Sequence, residues 1–180
     1  GVRAPLRPRD GRGARPVNME AGKGKGKAML RKARIGAVRT LHRMINESAG
    51  KGEMLPRSLM DIYGSLRDFF VHWDEEEKAI TGICAMNIIW ENLAEIRSLY
   101  VEETHRRRGV ARKLVEACIS EAITLELYRI FTLTYEQDFF ARMGFKEVSR
   151  STLSEKIWTD CFRCPKYPDY CDEVAMIVEL

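Results

Sequence analysis

A run of basic residues lies where the sequence predicts the start of its longest helix. Residues 105–113 contain no acidic side chain and five basic ones, namely Arg106, Arg107, Arg108, Arg112 and Lys113. A helix start normally favours acidic residues, because its free backbone N–H groups and the helix dipole place partial positive charge there. A bound polyanion would resolve the conflict, and Gly109 and Ala111 would let that anion approach the backbone closely. The run therefore indicates a phosphate site, with a solvated basic loop as the alternative.

The apolar pattern on both sides of this run indicates a series of strands and helices. Apolar patterns predict strands over residues 29–33, 68–73, 79–90, 94–101, 129–135, 145–148 and 174–179. Apolar residues at helical spacing, with breakers at their ends, predict helices over residues 36–48, 56–66, 107–125 and 136–143. This order predicts an α/β (α+β) domain built on a mixed sheet.

Composition is typical of a single globular domain. The chain has 180 residues, of which 45% are hydrophobic, so it can bury a core without a disulfide or a metal. No apolar run approaches the roughly 20 residues of a membrane-spanning helix, and no secretion signal is recognisable. We therefore expect a water-soluble, cytoplasmic protein that does not bind membranes and keeps its five cysteines reduced.

The net charge of +4 is concentrated in the first 28 residues. Eight basic residues oppose two acidic ones there, which gives +6 and leaves residues 29–180 at −2. This segment has too few large apolar residues to offset the entropy of ordering. We expect residues 1–28 to be a disordered basic tail or extension and residues 29–180 to form the domain. Because that domain is slightly acidic, we do not expect it to bind nucleic acid. The alternative is that residues 1–28 form an arm that binds nucleic acid.

Two segments resemble motifs of the GCN5-related N-acetyltransferase (GNAT) family. The first, Arg106-x-x-Gly109-x-Ala111 between a predicted strand and a long helix, is similar to the coenzyme A-binding signature of that family. The second, a strand followed by Phe139-Phe140-Ala141-Arg142-Met143-Gly144-Phe145, is similar to a later family motif that ends in an aromatic, glycine, phenylalanine pattern. The resemblance implies the GNAT fold, a mostly antiparallel central sheet with helices on both faces and a V-shaped splay between the fourth and fifth strands.

The resemblance also implies acetyl-coenzyme A as co-substrate, without a metal. Backbone N–H groups of residues 107–111 would hold its pyrophosphate. Residues 99–101 would pair with the pantetheine arm where two strands splay apart. The cofactor-binding residues implied in this way are Leu99, Tyr100, Val101, Arg106, Arg107, Arg108, Gly109, Val110, Ala111 and Phe140.

Acetyl transfer to an amine needs a base, and Glu95 is the catalytic candidate. A carboxylate can take the proton of an ammonium group if burial raises its own pKa. On a regular strand Glu95 would share a face with Arg97, Leu99 and Val101. Its segment also resembles the place where several family members have their base. The alternative role for Glu95 is an ion pair with Arg97.

The general acid stays unassigned. Family members often carry tyrosine four residues before the glycine of the later motif, where this sequence has Phe140. Phenylalanine cannot donate a proton, so Tyr135 or Tyr100 would have to substitute. Alternatively no acid is needed, because a thiol pKa of about 8.5 makes thiolate a tolerable leaving group.

A further resemblance indicates the acceptor. Residues 44–58 and the ending 157–180 are similar to the acetyltransferase domain of N-acetylglutamate synthases. This implies direct transfer, in a ternary complex, to the α-amine of L-glutamate for arginine biosynthesis. Arg57, Arg97 and Arg163 would bind its carboxylates, because guanidinium forks suit planar carboxylates. The alternatives are acetylation of a protein or peptide amine and a module that senses acetyl-coenzyme A without turnover. The sequence is also compatible with a homodimer.

Three cysteines near the C-terminus fit several roles. Cys161-x-x-Cys164 with Cys171 has part of a zinc-site spacing, but it lacks a second pair and no histidine lies nearby in sequence. A reversible disulfide and plain thiols are the other roles. We expect no metal site.

Overall fold

One seven-stranded sheet organises the part of the chain that the computed structural model describes. That part comprises residues 28–153, 161–164, 166–167 and 169–180, with Arg163 described for its backbone only. The sheet order is β1-β2-β3-β4-β5-β7-β6. Its strands are β1 (Ala28–Lys32), β2 (Phe69–Asp74), β3 (Ala79–Trp90), β4 (Leu93–Val101), β5 (Arg129–Thr134), β6 (Lys146–Glu147) and β7 (Val174–Glu179). The predicted mixed α/β fold is confirmed.

Helices cover both faces of this sheet, as predicted. The α-helices of the described residues are α1 (Val38–Gly50), α2 (Leu59–Gly64), α3 (Val110–Thr124) and α4 (Gln137–Ala141). Alternate residues of β3 serve the two faces, because successive side chains of a strand point in opposite directions. Ile83 and Ala85 join the core under α1, whereas Cys84 and Met86 join the core under α3. The two cores therefore lie on opposite faces of the sheet.

Helix α3 begins later than predicted. The sequence placed its start at Arg107, but the first helical residue is Val110. Arg107 and Gly109 have φ angles of +61° and +78°, which lie in the left-handed region. Residues 106–109 therefore form a turn that leads into the helix.

The splay between the fourth and fifth strands is present. Neighbouring strands of the sheet pair antiparallel, except that β4 and β5 run parallel. Their pairing covers only Leu93–Glu95 opposite residues 129–131. Beyond Glu95 the two strands separate, and this edge of β4 faces open space instead of a neighbouring strand.

A bulge in β4 corrects one prediction from regular strand geometry. Ile83 pairs with Tyr100 and Ala85 with Arg97, so two residues of β4 lie opposite Cys84. Ser98 in this bulge has a φ of +53°. Because the extra residue reverses the alternation of side chains, Leu99 and Val101 pack on the α3 side. The expectation that Glu95 shares a face with Leu99 and Val101 is wrong; Glu95 lies on the opposite face from Ile96, which belongs to the α3 core.

Two predictions fall partly or wholly outside the described residues. Residues 1–27 of the predicted tail lie outside, and Ala28 is the first residue of β1. Residues 157–160, 165 and 168 of the C-terminal segment also lie outside. None of the helices in the described ranges has the length and apolarity needed to cross a bilayer.

Candidate functional site

One large groove opens where β4 and β5 separate. Its volume is about 1300 Å³, and it extends from the loop before α2 to the start of α3. The predicted site residues that line it are Arg57, Glu95, Arg97, Leu99, Tyr100, Val101, Arg106, Arg107, Gly109, Val110, Ala111 and Phe140. Arg108 is exposed and is not among the lining residues. The side chain of Arg163 lies outside the described part of the chain.

One end of the groove is rich in free backbone donors. Within the described residues, no group accepts a hydrogen bond from the backbone N–H groups of residues 107–112. Lys113 is the first to join the helix, donating to the carbonyl of Gly109 at 3.1 Å. The first turn of α3 has no acidic residue. Gly109 can adopt its positive φ without steric cost, and it keeps a side chain away from these donors. The end of the groove is therefore suited to an anion such as a pyrophosphate.

The unpaired edge of β4 forms one wall of the groove. Residues 96–101 line the groove and have no pairing with β5. Backbone N–H and C=O groups at such an edge need partners, and an extended ligand with amide groups can supply them. Arg106 stabilises the end of this wall, because its Nε donates to the carbonyl of Val101 at 3.2 Å.

Glu95 lies at the closed end of the splay. It is the last β4 residue that pairs with β5, opposite Phe131. Only 3% of Glu95 is exposed. The Nη1 atom of Arg97 lies 3.7 Å from its Oε2 atom, which makes an ion pair. The structure thus places Glu95 in the groove and also beside Arg97, so both predicted roles for this carboxylate are geometrically open.

Tyr100 and Tyr135, which the sequence suggested as substitute acids, differ in their surroundings. Tyr100 packs in the α1 core, and its hydroxyl donates to Glu102 at 3.2 Å. Tyr135 donates to Oδ1 of Asp172 at 2.9 Å and accepts from Nζ of Lys166 at 2.6 Å. Burial raises the pKa of both tyrosines. The contacts of Tyr135 with Lys166 and Asp172 were not predicted from the sequence, because these partners lie more than thirty residues away along the chain.

Phe140 has an apolar environment. Its ring makes edge-on contacts with Phe139 and Phe145, at centroid distances of 5.0 and 5.2 Å. Only 3% of Phe140 is exposed. The residue therefore contributes packing at the groove wall and has no proton to donate.

Arg57 lines the groove from the loop between α1 and α2, which forms a lip of the groove. Ser58, the next residue, caps α2: its Oγ accepts from the N–H of Asp61 at 3.1 Å, and its own N–H donates to Oδ2 of Asp61 at 3.1 Å. This capping box fixes the chain immediately after Arg57. The sequence predicted Arg57 as a carboxylate ligand, and the structure places it in the same groove as Glu95 and Arg97.

The C-terminal segment before β7 forms a further wall of the groove; the sequence predicted an acceptor role for Arg163 in it, but not a role in the groove for the following side chains. Its groove-lining residues are Cys161, Cys164, Tyr167, Cys171 and Glu173. Arg150 holds the end of this segment, because its Nη2 donates to the carbonyls of Cys171, at 3.1 Å, and Glu173. The five cysteines all lie within the described residues, and none of them forms a disulfide there. Among the described residues, no three His, Cys, Asp or Glu side chains are grouped so that they could hold a metal ion.

Comparison with known sequences identifies related acetyltransferases. The acetyltransferase (GNAT) family model matches residues 35–145. An uncharacterized N-acetyltransferase of Chlorobaculum tepidum is 40% identical over 153 residues, covering 84% of this chain and 96% of that protein. An amino-acid acetyltransferase of Mycobacterium tuberculosis is 30% identical over 137 residues, covering 75% of this chain and 78% of that protein.

Comparison with solved structures identifies proteins of the same fold that were crystallised with coenzyme A. The crystal structure of Rv2747 from Mycobacterium tuberculosis in complex with CoA and NLQ is 25% identical, with a TM-score of 0.74 over 84% of this chain and 99% of that one. An N-acetylglutamate synthase from Neisseria gonorrhoeae, complexed with coenzyme A and N-acetyl-glutamate, has a TM-score of 0.76 and 20% identity. That match covers 87% of this chain but 36% of the synthase, and it shows a shared fold.

Proposed function

This chain belongs to the acetyltransferase (GNAT) family and uses acetyl-coenzyme A, and we propose that its acceptor is the α-amine of an amino acid, namely L-glutamate. The acetyl group would pass directly to the amine in a ternary complex. The observation that carries the proposal is that Arg57 and Arg97 line the same groove as Glu95. The amino-acid acetyltransferase of Mycobacterium tuberculosis, 30% identical to this chain, supports a small acceptor of this class.

In this proposal the donor occupies the end of the groove at α3 and the edge of β4. The free N–H groups of residues 107–111 hold the pyrophosphate, with Arg106 beside them. The pantetheine arm bonds to the backbone of residues 99–101 along the unpaired edge of β4. Its thioester then points toward the closed end of the splay, where Glu95 lies.

The acceptor would bind between Glu95 and the lip that carries Arg57. In this proposal the guanidinium groups of Arg57 and Arg97 bind its carboxylates, because a planar guanidinium fork suits a planar carboxylate. We include Arg163 in the same role, on the resemblance of its segment alone. Several arginines can pair with the two carboxylates of glutamate, whereas the lysine side chain of a peptide has no carboxylate for them to bind.

The chemistry follows from these positions. Glu95 takes a proton from the ammonium group, directly or through a water, and the neutral amine attacks the thioester carbon. An N–H group of the β4 edge near Leu99 or Tyr100 stabilises the oxyanion that develops. The C–S bond of the tetrahedral intermediate then breaks and coenzyme A leaves as thiolate, while the second proton of the acceptor nitrogen is lost to solvent, which gives the neutral amide. Because a thiol pKa is about 8.5, this departure needs no acid at the position of Phe140.

If the acceptor is glutamate, the product is N-acetylglutamate. The place of the enzyme is then in arginine biosynthesis, in the cytoplasm. Both statements depend on the acceptor and are part of the same proposal.

A panel of acceptors tests the proposal. Thiol release from acetyl-coenzyme A would be measured with glutamate, glutamine, aspartate and a lysine-containing peptide, and the products identified by mass spectrometry. We expect the highest kcat/KM with glutamate, with the acetyl group on the α-amine. No release with glutamate beside brisk release with the peptide would overturn the proposal in favour of a protein or peptide acceptor.

A further inference from the structure

The loop that carries Arg57 has little regular structure of its own. Residues 51–58 form turns and extended chain between α1 and α2. Several of them line the groove, including Glu53 and Arg57. Because such a loop has no ladder of backbone hydrogen bonds, its position depends on side chains that bond to its backbone.

A single side chain bonds to both backbone groups of Arg57. The Nδ2 atom of Asn46 donates to the carbonyl of Arg57 at 2.9 Å. The Oδ1 atom of Asn46 accepts from the N–H of Arg57 at 3.3 Å. Nδ2 also donates to the carbonyl of His42 at 2.8 Å, within α1. A carboxamide is suited to this role because it carries a donor and an acceptor side by side.

Asn46 belongs to α1, and packing in the core holds this helix in place. Its neighbours Met44 and Ile45 have no exposed surface and belong to the core under α1. The bond from Nδ2 to His42 further restricts the rotamer of Asn46. Asn46 therefore transmits the fixed position of α1 to the backbone of Arg57, eleven residues farther along the chain.

We propose that Asn46 is a positioning residue that sets the acceptor affinity by holding the backbone of Arg57 at the lip of the groove. Asn46 is not among the groove-lining residues, so it acts through Arg57 and not by touching the substrate. The capping box of Ser58 fixes the chain on the other side, so the backbone is held on both sides of a residue that lines the groove. The inference rests on the proposed role of Arg57 in binding a carboxylate.

A double-mutant cycle between Asn46 and Arg57 tests the inference. We expect Asn46→Ala to raise the KM for glutamate about tenfold, because the loop loses its hydrogen bonds, and to leave the KM for acetyl-coenzyme A within about twofold. In the Arg57→Ala background the same substitution should change the glutamate KM by less than about twofold, because the group that it positions is already gone.

Thr124→Ala is the matched control. Thr124 also makes a side-chain hydrogen bond to the backbone, from Oγ1 to the carbonyl of Ser120 at 2.9 Å, but neither residue lines the groove. This variant should leave the glutamate KM unchanged. If Asn46→Ala does not fold, as judged by circular dichroism, Asn46→Asp replaces it. The aspartate keeps the volume and removes the donor, so the same rise in KM is expected.

The outcomes separate the inference from the proposed function. If Arg57→Ala raises the glutamate KM but Asn46→Ala does not, the inference is overturned and the role of Arg57 stands. Equal effects of Asn46→Ala in both backgrounds would likewise overturn it, since Asn46 would then act independently of Arg57. If Arg57→Ala leaves the glutamate KM unchanged, the proposed acceptor binding fails and the inference fails with it.

Discussion

Glu95 is the residue on which the proposed chemistry depends. It is almost fully buried, it lines the groove, and it lies where the pairing between β4 and β5 ends. The sequence predicted the residue but not its surroundings, since the β4 bulge moves Leu99 and Val101 to the other face. A bulge depends on register with β3, which no local pattern encodes.

Replacing Glu95 by glutamine should therefore impair turnover and spare the cofactor. We expect kcat at neutral pH to fall about 100-fold, the typical contribution of a general base, with an unchanged Kd for acetyl-coenzyme A. The rate of Glu95→Gln should rise as pH is raised, because a larger fraction of the amine is then unprotonated without help from a base. Steady-state kinetics across pH and calorimetry check these points.

Glu91→Gln provides the control, because Glu91 is exposed in the turn between β3 and β4 and does not line the groove. Wild-type turnover in both variants would remove Glu95 from the mechanism.

The cysteines should differ in reactivity according to burial. Cys84 and Cys118 are fully buried in the α3 core, with their sulfur atoms 3.6 Å apart. Burial raises the pKa of the Cys84 thiol well above its usual range, and the thiolate is the reactive form. Cys161, Cys164 and Cys171 are partly exposed in the groove wall.

Alkylation of the native protein with iodoacetamide, followed by peptide mass spectrometry, should label these three cysteines and leave Cys84 and Cys118 unlabelled. Denaturation in urea should remove the difference. Labelling of Cys84 in the native protein as fast as Cys161 would contradict the described core.

At the scale of elements, α3 and β4 together form the donor end of the groove. The order and types of these elements followed from the apolar patterns, which local sequence encodes. The apolar pattern did not predict where α3 starts, because residues 106–109 adopt a turn with two left-handed residues before the helix begins. That turn is the part of the motif that leaves the N–H groups of residues 107–112 without partners among the described residues.

Gly82 sets how closely α3 packs on the sheet. A Cβ atom at this position would lie 2.9 Å from Val110 Cγ1, 3.0 Å from Leu114 Cδ1 and 3.3 Å from the carbonyl oxygen of Tyr100. Gly82→Ala should therefore push the start of α3 outward. Overpacking of this kind costs about 1–3 kcal/mol, which corresponds to a loss of about 3–10 °C in Tm.

The same substitution should weaken acetyl-coenzyme A binding several-fold, because Val110 is the first residue of the helix that holds the pyrophosphate. Gly36→Ala is the control, since nothing lies within 4 Å of a Cβ there. Thermal denaturation and binding calorimetry measure both effects. An unchanged cofactor affinity beside a lowered Tm would show that the start of α3 does not position the donor.

At the scale of the whole molecule, the walls of the groove come from segments that lie far apart along the chain. The family match ends at residue 145, yet residues 161–173 contribute several groove-lining side chains. The sequence shows no periodic pattern in that segment, and the spacing of its cysteines left three roles open: a zinc site, a disulfide or plain thiols. Long-range contacts define the wall instead, such as the bonds from Arg150 to the carbonyls of Cys171 and Glu173.

The N-terminal segment is the other question at this scale. We propose that the domain begins at β1 and that the basic residues before it take no part in acetyl transfer, since the groove-lining residues of the described part of the chain all lie between positions 48 and 173. Deletion of residues 1–26 should therefore change kcat and both KM values by less than about twofold, the effect expected when the removed residues do not contact either substrate. A large loss of activity in this variant, with an unchanged Tm, would show that the segment contributes to catalysis.

The proposed function requires that donor and acceptor occupy this groove together. Three thiols line the same groove, so a covalent route through an acetylated cysteine is the chemical rival. Initial velocities with acetyl-coenzyme A and glutamate varied against each other distinguish the two routes. Direct transfer predicts intersecting double-reciprocal lines and no acetyl group on the enzyme after incubation with acetyl-coenzyme A alone. Parallel lines, together with an enzyme that carries one acetyl group, would contradict it.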